Sequence, residues 1–364
     1  MTTRIKHLYI HVPFCNAICS YCDFCHRVYD KKLVTKWLET IEKEIQDKCK
    51  DNYETIYIGG GTPTSLSIDE LDKLLSFIKP YTNKVKEYTI EVNPESLDLD
   101  KIKLFNKYGI NRISMGVQTS DDELLKLLNR KHTFLDVKEK IELLKDNGLN
   151  NISIDLMYSL PDQTIKTLNK TIDDFLKLDI PHVSLYSLTI EENTVFAKKG
   201  YKPLDIELEA DMYELICKRL KENGYIHYEV SNFSKEGYES KHNIGYWEYE
   251  DFLGISMAAS SKVGNRRWTN TFSFDEYFKD YNAKTEDIIL EQNDLEFENI
   301  MMSLRMDKGL DIKKFNDRYN CDLIKKYKKG IDNSNIEIID DKLRCKNLEI
   351  LNNILLDFME NYEN

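Results

Sequence analysis

Residues 7–25 read HLYIHVPFCNAICSYCDFC. The first six, His7 to Val12, form a short apolar, β-branched run that Pro13 brings to a close, the pattern of a buried strand. Directly behind it stand Cys15, Cys19 and Cys22 at C-x3-C-x2-C spacing, with Cys25 three residues further on. In parallel α/β sheets ligand sites lie beyond the C-terminal ends of the strands. A cysteine loop delivered by a first strand therefore marks one mouth toward which later strands should point.

Working outward, the same kind of run recurs at Tyr53–Ile58, Glu87–Val92, Arg112–Val117, Ile152–Tyr158 and His182–Leu188. Between these lie amphipathic stretches with apolar residues at i, i+3, i+4, such as Leu33–Ile45, Ile68–Ile78, Leu124–Leu128 with Val137–Leu144, and Ile165–Leu178. Six βα units in a row predict an α/β fold, a parallel sheet curved into an open or partial (βα)6 barrel. The loops after the strands are polar or glycine-rich: Gly59-Gly60-Gly61-Thr62, Asn93-Pro94-Glu95, Gln118 and Leu160-Pro161. Near residue 276 the alternation stops. Helical patterns at Leu295–Leu304, Ile312–Arg318 and Leu323–Lys328, a hairpin turning at Asp340-Asp341 and a last helix predict a small α+β, winged-helix-like module. Two domains are expected, 1–275 and 276–364.

The 364 residues carry a formal charge of -12, with 41% apolar and 31% charged side chains. That balance is globular, and its sign argues against a broad nucleic-acid surface. No stretch approaches the roughly 20 apolar residues of a membrane span, and Met1 to Lys6 shows no signal peptide. A cytoplasmic protein is expected. In a reducing compartment four clustered cysteines bind metal or do redox work rather than form disulfides. The scattered Cys49, Cys217, Cys321 and Cys345 read as small buried apolar residues.

Three thiolates on one loop hold three corners of a [4Fe–4S] cubane and leave one iron without a protein ligand. S-adenosylmethionine (SAM) chelates such an iron through its amino and carboxylate groups, and an electron from the cluster then yields a 5′-deoxyadenosyl radical. A zinc site would call for a second, distant C-x2-C pair, which this sequence lacks. The glycine triplet offers backbone amides to the methionine end of SAM. Glu91, Gln118, Arg130 and Asp155, on or just after later strands, could meet its ribose, adenosyl and carboxylate groups.

These residues resemble the coproporphyrinogen III oxidase-like family of radical SAM proteins over nearly the whole chain. The match runs through Tyr9 to Cys15, Cys22-Asp23-Phe24, Gly59 to Thr64, Gly116-Val117-Gln118, Asn129-Arg130 with His132, Ile154-Asp155-Leu156, Leu188 to Glu191, and Tyr228 to Phe233. The resemblance implies a partial (βα)6 radical SAM barrel, then a small C-terminal domain. Cys15, Cys19 and Cys22 would ligate the cluster, and Tyr9, Gly60, Gly61, Thr62, Glu91, Gln118, Arg130 and Asp155 would contact SAM.

Within the family the sequence leans to the heme-chaperone branch. Oxidases carry a fourth cysteine two residues after the third, where this chain has Phe24, and a long N-terminal segment, where only fourteen residues precede Cys15. The run His242-Asn243-Ile244-Gly245-Tyr246-Trp247 looks like an H-N-x-x-Y-W pattern associated with heme, so His242 is an expected axial ligand, with Lys241, Arg266 or Arg267 facing the propionates. The implied partners are heme or a porphyrin, a heme-acceptor protein and an electron donor such as a flavodoxin or ferredoxin. An oxygen-independent coproporphyrinogen III oxidase and a non-catalytic, cluster-stabilised binding protein are the alternatives. Two departures stand out. Cys25 adds a fourth thiol, expected to be free or displaced by SAM, and Gly254 to Ser261 holds Ser256, Ala258 and Ser260 where relatives are glycine-rich and carry a histidine.

Overall fold

The computed structural model describes residues 4–50 and 52–359, so Met1 to Thr3 of the opening segment lie outside the described residues. All six expected strands form: β1 (His7–Val12), β2 (Thr55–Gly60), β3 (Glu87–Val92), β4 (Arg112–Gln118), β5 (Ile152–Tyr158) and β6 (His182–Ser187). They pair in parallel, each with the next. Strand β2 runs two residues beyond the predicted Ile58 because Gly59 and Gly60 stay in register with His11 and Val12.

Helices return the chain between strands and cover the outer face. Helix α1 (Lys31–Lys48) starts at Asp30, whose carboxylate accepts from Lys32 N and Leu33 N. Helix α2 (Ile68–Ile78) opens with a Ser67/Glu70 capping box. Alternation along β1 sends Leu8, Ile10 and Val12 outward into a core shared with Trp37 and Ile41 of α1. The intervening Tyr9 and His11 face inward, joined at 3.0 Å from Tyr9 Oη to His11 Nδ1.

The sheet is larger than predicted. Beyond β6 come β7 (Ile226–Glu229) and β8 (Asn232–Ser234), and after a short helix, α3 (Lys241–Trp247), come β9 (Phe252–Ile255), β10 (Ser260–Val263), β11 (Arg266–Asn270) and β12 (Lys284–Ile289). Strand β9 adds in parallel on the other side of β1, and the rest extend both flanks in antiparallel fashion. The order is β12-β11-β10-β9-β1-β2-β3-β4-β5-β6-β8-β7. Its two ends do not pair with each other, so the barrel stays partial. The large sheet thus continues past the expected boundary at 275 to Ile289.

A second core then gathers Ile300, Leu304, Phe315, Leu323, Leu343, Leu355 and Phe358. The predicted helix Leu323–Lys328 is two short ones, Leu323–Lys326 and Lys328–Ile331, broken at Tyr327. The hairpin Ile336–Ile339 with Lys342–Cys345 turns at Asp340-Asp341, both at positive φ. This module is laced to the barrel: Val230 N donates to Arg305 O at 3.0 Å and Asp307 N to Tyr228 O at 3.1 Å. Among the described residues no helix is long and apolar enough to cross a membrane.

Candidate functional site

A cavity of about 450 Å³ opens at the C-terminal ends of the parallel strands. Ten of the residues singled out in the sequence line it: Cys15, Cys19, Cys22, Gly60, Gly61, Thr62, Glu91, Gln118, Arg130 and Asp155. Tyr9 lines an adjoining cavity of about 320 Å³, together with His11, Phe24, Cys25, Ala258 and Phe272.

The cysteines are free and half-buried. Burial pushes the Cys15 thiol up to about 11, against a hydrogen bond from Thr62 that pulls the other way, and pushes Cys22 up to about 12, with Cys19 and Cys15 adding to the rise. Thiols crowded this way give up their protons to a metal cation. Behind them runs a continuous set of contacts. Thr62 Oγ1 donates to Cys15 Sγ at 3.4 Å, Asn93 Nδ2 to Thr62 Oγ1 at 3.1 Å, Arg130 Nη2 to Asn93 Oδ1 at 2.8 Å and Arg130 Nη1 to Cys19 Sγ at 3.5 Å. Two thiols are therefore fixed from behind by β2, by the loop after β3 and by Arg130. Among the described residues no three His, Cys, Asp or Glu side chains converge on a single ion position. The donor set fits a cluster with three thiolate corners, Cys15, Cys19 and Cys22.

The glycines serve packing as well as ligand approach. Gly60 sits at φ +108°, and a Cβ there would meet the His11 ring at 2.3 Å; at Gly61 it would meet the carbonyls of Phe14 and Val12 at 2.6 and 2.8 Å. Only glycine lets β2 end so close to the start of the cysteine loop. Gln118 also stands at positive φ, +75°, where β4 slips register against β5 and turns its buried side chain onto the cavity wall.

Two acids share the inner wall. Glu91 accepts from Tyr57 Oη at 2.8 Å and from Gly60 N at 3.0 Å, and Asp155 accepts from Ser114 Oγ at 3.4 Å. Burial raises Glu91 to about 7, with the Asp155 charge adding to the rise, and burial raises Asp155 to about 6. Both are poised to accept from hydroxyl or ammonium donors of a bound ligand.

His242 departs from its expected role. It lies 1% exposed beneath the cavity, its Nδ1 2.7 Å from Thr55 Oγ1 and its Nε2 2.7 Å from Tyr246 Oη. Both ring nitrogens are spent inside the protein, so the expected axial ligand is a packed floor residue. Helix α3 plugs the barrel from below, tied to Glu87 through Lys241 N and His242 N at 2.9 Å each. Nor do Lys241, Arg266 and Arg267 line the cavity. Arg266 pairs with Asp287 and Arg267 with Glu298.

Sequence reasoning gave no binding role to Tyr57, Asn93, Arg112 and Asn243, which also line the cavity. The signal was present for Arg112: counting back by twos from Gln118 through Gly116 and Ser114 reaches it on the same inward face.

Comparison with known proteins agrees with this geometry. The family described as the Radical SAM superfamily matches residues 9–175. The heme chaperone HemW of Lactococcus lactis subsp. lactis (strain IL1403) is 38% identical over 352 residues, spanning 94% of this chain and 92% of the relative. The heme chaperone HemW of Bacillus subtilis (strain 168) is 38% identical over 88% of each chain. Among solved structures, the coproporphyrinogen III oxidase HemN of Escherichia coli superposes with a TM-score of 0.85 over 98% of this chain and 90% of its own, at 21% identity, a likeness of fold. With relatives this close along almost its whole length, and a three-thiol loop set over a partial barrel, the chain belongs to the HemW family of radical SAM proteins.

Proposed function

We propose that this protein is a heme chaperone that carries a [4Fe–4S] cluster and SAM, binds heme and passes it to acceptor proteins in the cytoplasm. The observation that supports this most is its 38% identity over nearly full length to relatives named as heme chaperones. Cys15, Cys19 and Cys22 would hold the cluster. Tyr9, Gly60, Gly61, Thr62, Glu91, Gln118, Arg130 and Asp155 would hold SAM, which supplies one-electron chemistry when bound to the open iron. The protein's own contribution is positional. Thr62, Asn93 and Arg130 fix the thiols, Glu91 and Asp155 supply acceptors for ribose hydroxyls or an ammonium group, and the α3 plug closes the floor against water from below. A flavodoxin- or ferredoxin-like electron donor and a heme-acceptor protein are the partners this reading calls for.

The test is anaerobic reconstitution with iron and sulfide, then titration with SAM and heme followed by absorption and EPR, and finally incubation with an apo heme protein. The expected result is stoichiometric heme binding and its transfer. Absence of heme binding overturns the reading. Carbon dioxide release from coproporphyrinogen III with SAM and a reductant would identify an oxidase instead, whose branch-specific fourth cysteine is here Phe24.

A further inference from the structure

Arg112 begins β4, and its side chain turns inward to the floor of the 450 Å³ cavity, where Ser184 and Asn243 are neighbours on the lining. The residue is 2% exposed. Its Nε is buried without a hydrogen-bond partner, and the guanidinium acts on Glu91 and Asp155 by charge, holding both carboxyls lower than burial alone would leave them. The hydrogen bonds of the two acids on the same wall go elsewhere, Glu91 to Tyr57 and Gly60, Asp155 to Ser114.

A buried guanidinium presents five N–H donors in a rigid fork, and each one left without an acceptor is a cost to the fold. A fold retains such a group where something from outside completes it. The fork matches a carboxylate in bidentate fashion. SAM also carries a carboxylate, but on the proposed reading that group would go to the cluster held by Cys15, Cys19 and Cys22, at the other end of the cavity. The floor is left for a second acid. Volume adds a constraint, since about 450 Å³ admits SAM and a slender side arm but not a whole tetrapyrrole beside it. The ring would remain outside, against Phe24, which lines the cavity and is 67% exposed.

We propose that Arg112 receives a propionate carboxylate of the bound porphyrin at the cavity floor, with the Asn243 amide beside it. This rests on the heme-chaperone reading and adds to it the group that recognises the ligand's acidic arm. It also gives the H-N-x-x-Y-W segment a divided task, in which His242 packs the floor and Asn243 faces the cavity.

The experiment uses the full-length protein, reconstituted with cluster and SAM, titrated with ferric heme and with its dimethyl ester, in which both propionates are blocked. Wild type should bind heme about tenfold or more tightly than the ester, the value of one charge-assisted bidentate contact. Arg112→Gln should bind both at the level of the ester, Arg112→Lys should recover part of the difference, and SAM affinity should change less than heme affinity does. Thermal melting of Arg112→Gln at or above the wild-type temperature shows that the fold is intact. An Arg112→Gln protein that still prefers heme over its ester overturns the proposal, as does one that loses SAM instead. Wild type that binds heme and ester equally overturns this inference alone, whereas wild type that binds neither overturns the heme reading with it.

Discussion

Thr55 Oγ1 and His242 Nδ1 stand 2.7 Å apart, and the same hydroxyl lies 2.8 Å from His7 Nδ1. One threonine thus joins two buried imidazoles, and His7 in turn reaches Glu250 at 2.7 Å. Replacing His242 by Ala strips partners from Thr55 and Tyr246 and opens a hole beneath the cavity. The cost should be about 2–4 kcal/mol, read by chemical denaturation. Heme affinity of the protein that remains folded should stay within about threefold of wild type, less than one lost hydrogen bond. Loss of heme binding at unchanged stability would return His242 to the role of ligand.

Glu91 gives the apoprotein a pH signature. Its native value, raised to about 7 from the ordinary 4.5, means that the folded state binds more protons than the unfolded between those two pH values. Stability therefore falls as pH rises through that window and levels off above it. Glu91→Gln removes that share of the slope, leaving the parts due to Asp155 and Glu229, also raised by burial, and should be more stable than wild type by about 1–3 kcal/mol at pH 8, with the difference vanishing toward pH 4.5. Urea midpoints across the range check this; parallel curves for the two proteins would refute it.

Ser256 and Ala258 adopt φ of +83° and +60°, a region that L side chains avoid. This accounts for the glycine-rich segment expected of relatives. The two sites differ in compensation. Ser256 Oγ accepts from Trp37 Nε1 at 2.8 Å and its backbone N donates to Glu44 at 3.0 Å, whereas no side-chain contact offsets the strain at Ala258. Ala258→Gly should stabilise by about 0.5–1 kcal/mol, and Ser256→Gly should still destabilise, by about 0.5–1 kcal/mol net, because the buried Trp37 Nε1 left without its acceptor outweighs the same relief of strain. Calorimetry on the pair decides, and a shift of the same sign in both would contradict the argument.

Cys25 Sγ donates to the carbonyl of Phe272 at 3.7 Å, packs against the main core, and lines the smaller cavity rather than the one holding Cys15, Cys19 and Cys22. Cys25→Ser should keep full iron and sulfide content and the cluster's EPR signal after reconstitution. Cys22→Ser should lose most of both. Iron loss in Cys25→Ser would make the fourth thiol a ligand.

The six parallel strands and the placement of ten cavity residues were legible because burial on the outer face forces β-branched runs, and because strand ends deliver polar side chains to one mouth. The antiparallel flanks were not. Asn232–Ser234 is too short to show a period, as is the added parallel strand Phe252–Ile255, and Lys284–Ile289 is charged at half its positions because it lies at a sheet edge. His242 was not legible for a different reason. A histidine beside aromatic residues has the same composition whether it faces a ligand or closes a barrel, and only Thr55 and Tyr246, distant or one turn away, tell the two apart.

The lacing of residues 305–307 onto β7 bears on solubility. Strand β7 is the last in the sheet, and its outer amides and carbonyls would otherwise be open to pairing with another chain. Glu229 bridges Met306 in antiparallel fashion, and the backbone bonds to Arg305 and Asp307 flank it. The C-terminal module is thereby a guard on a sticky edge, and a protein cut before residue 290 would expose that edge and self-associate.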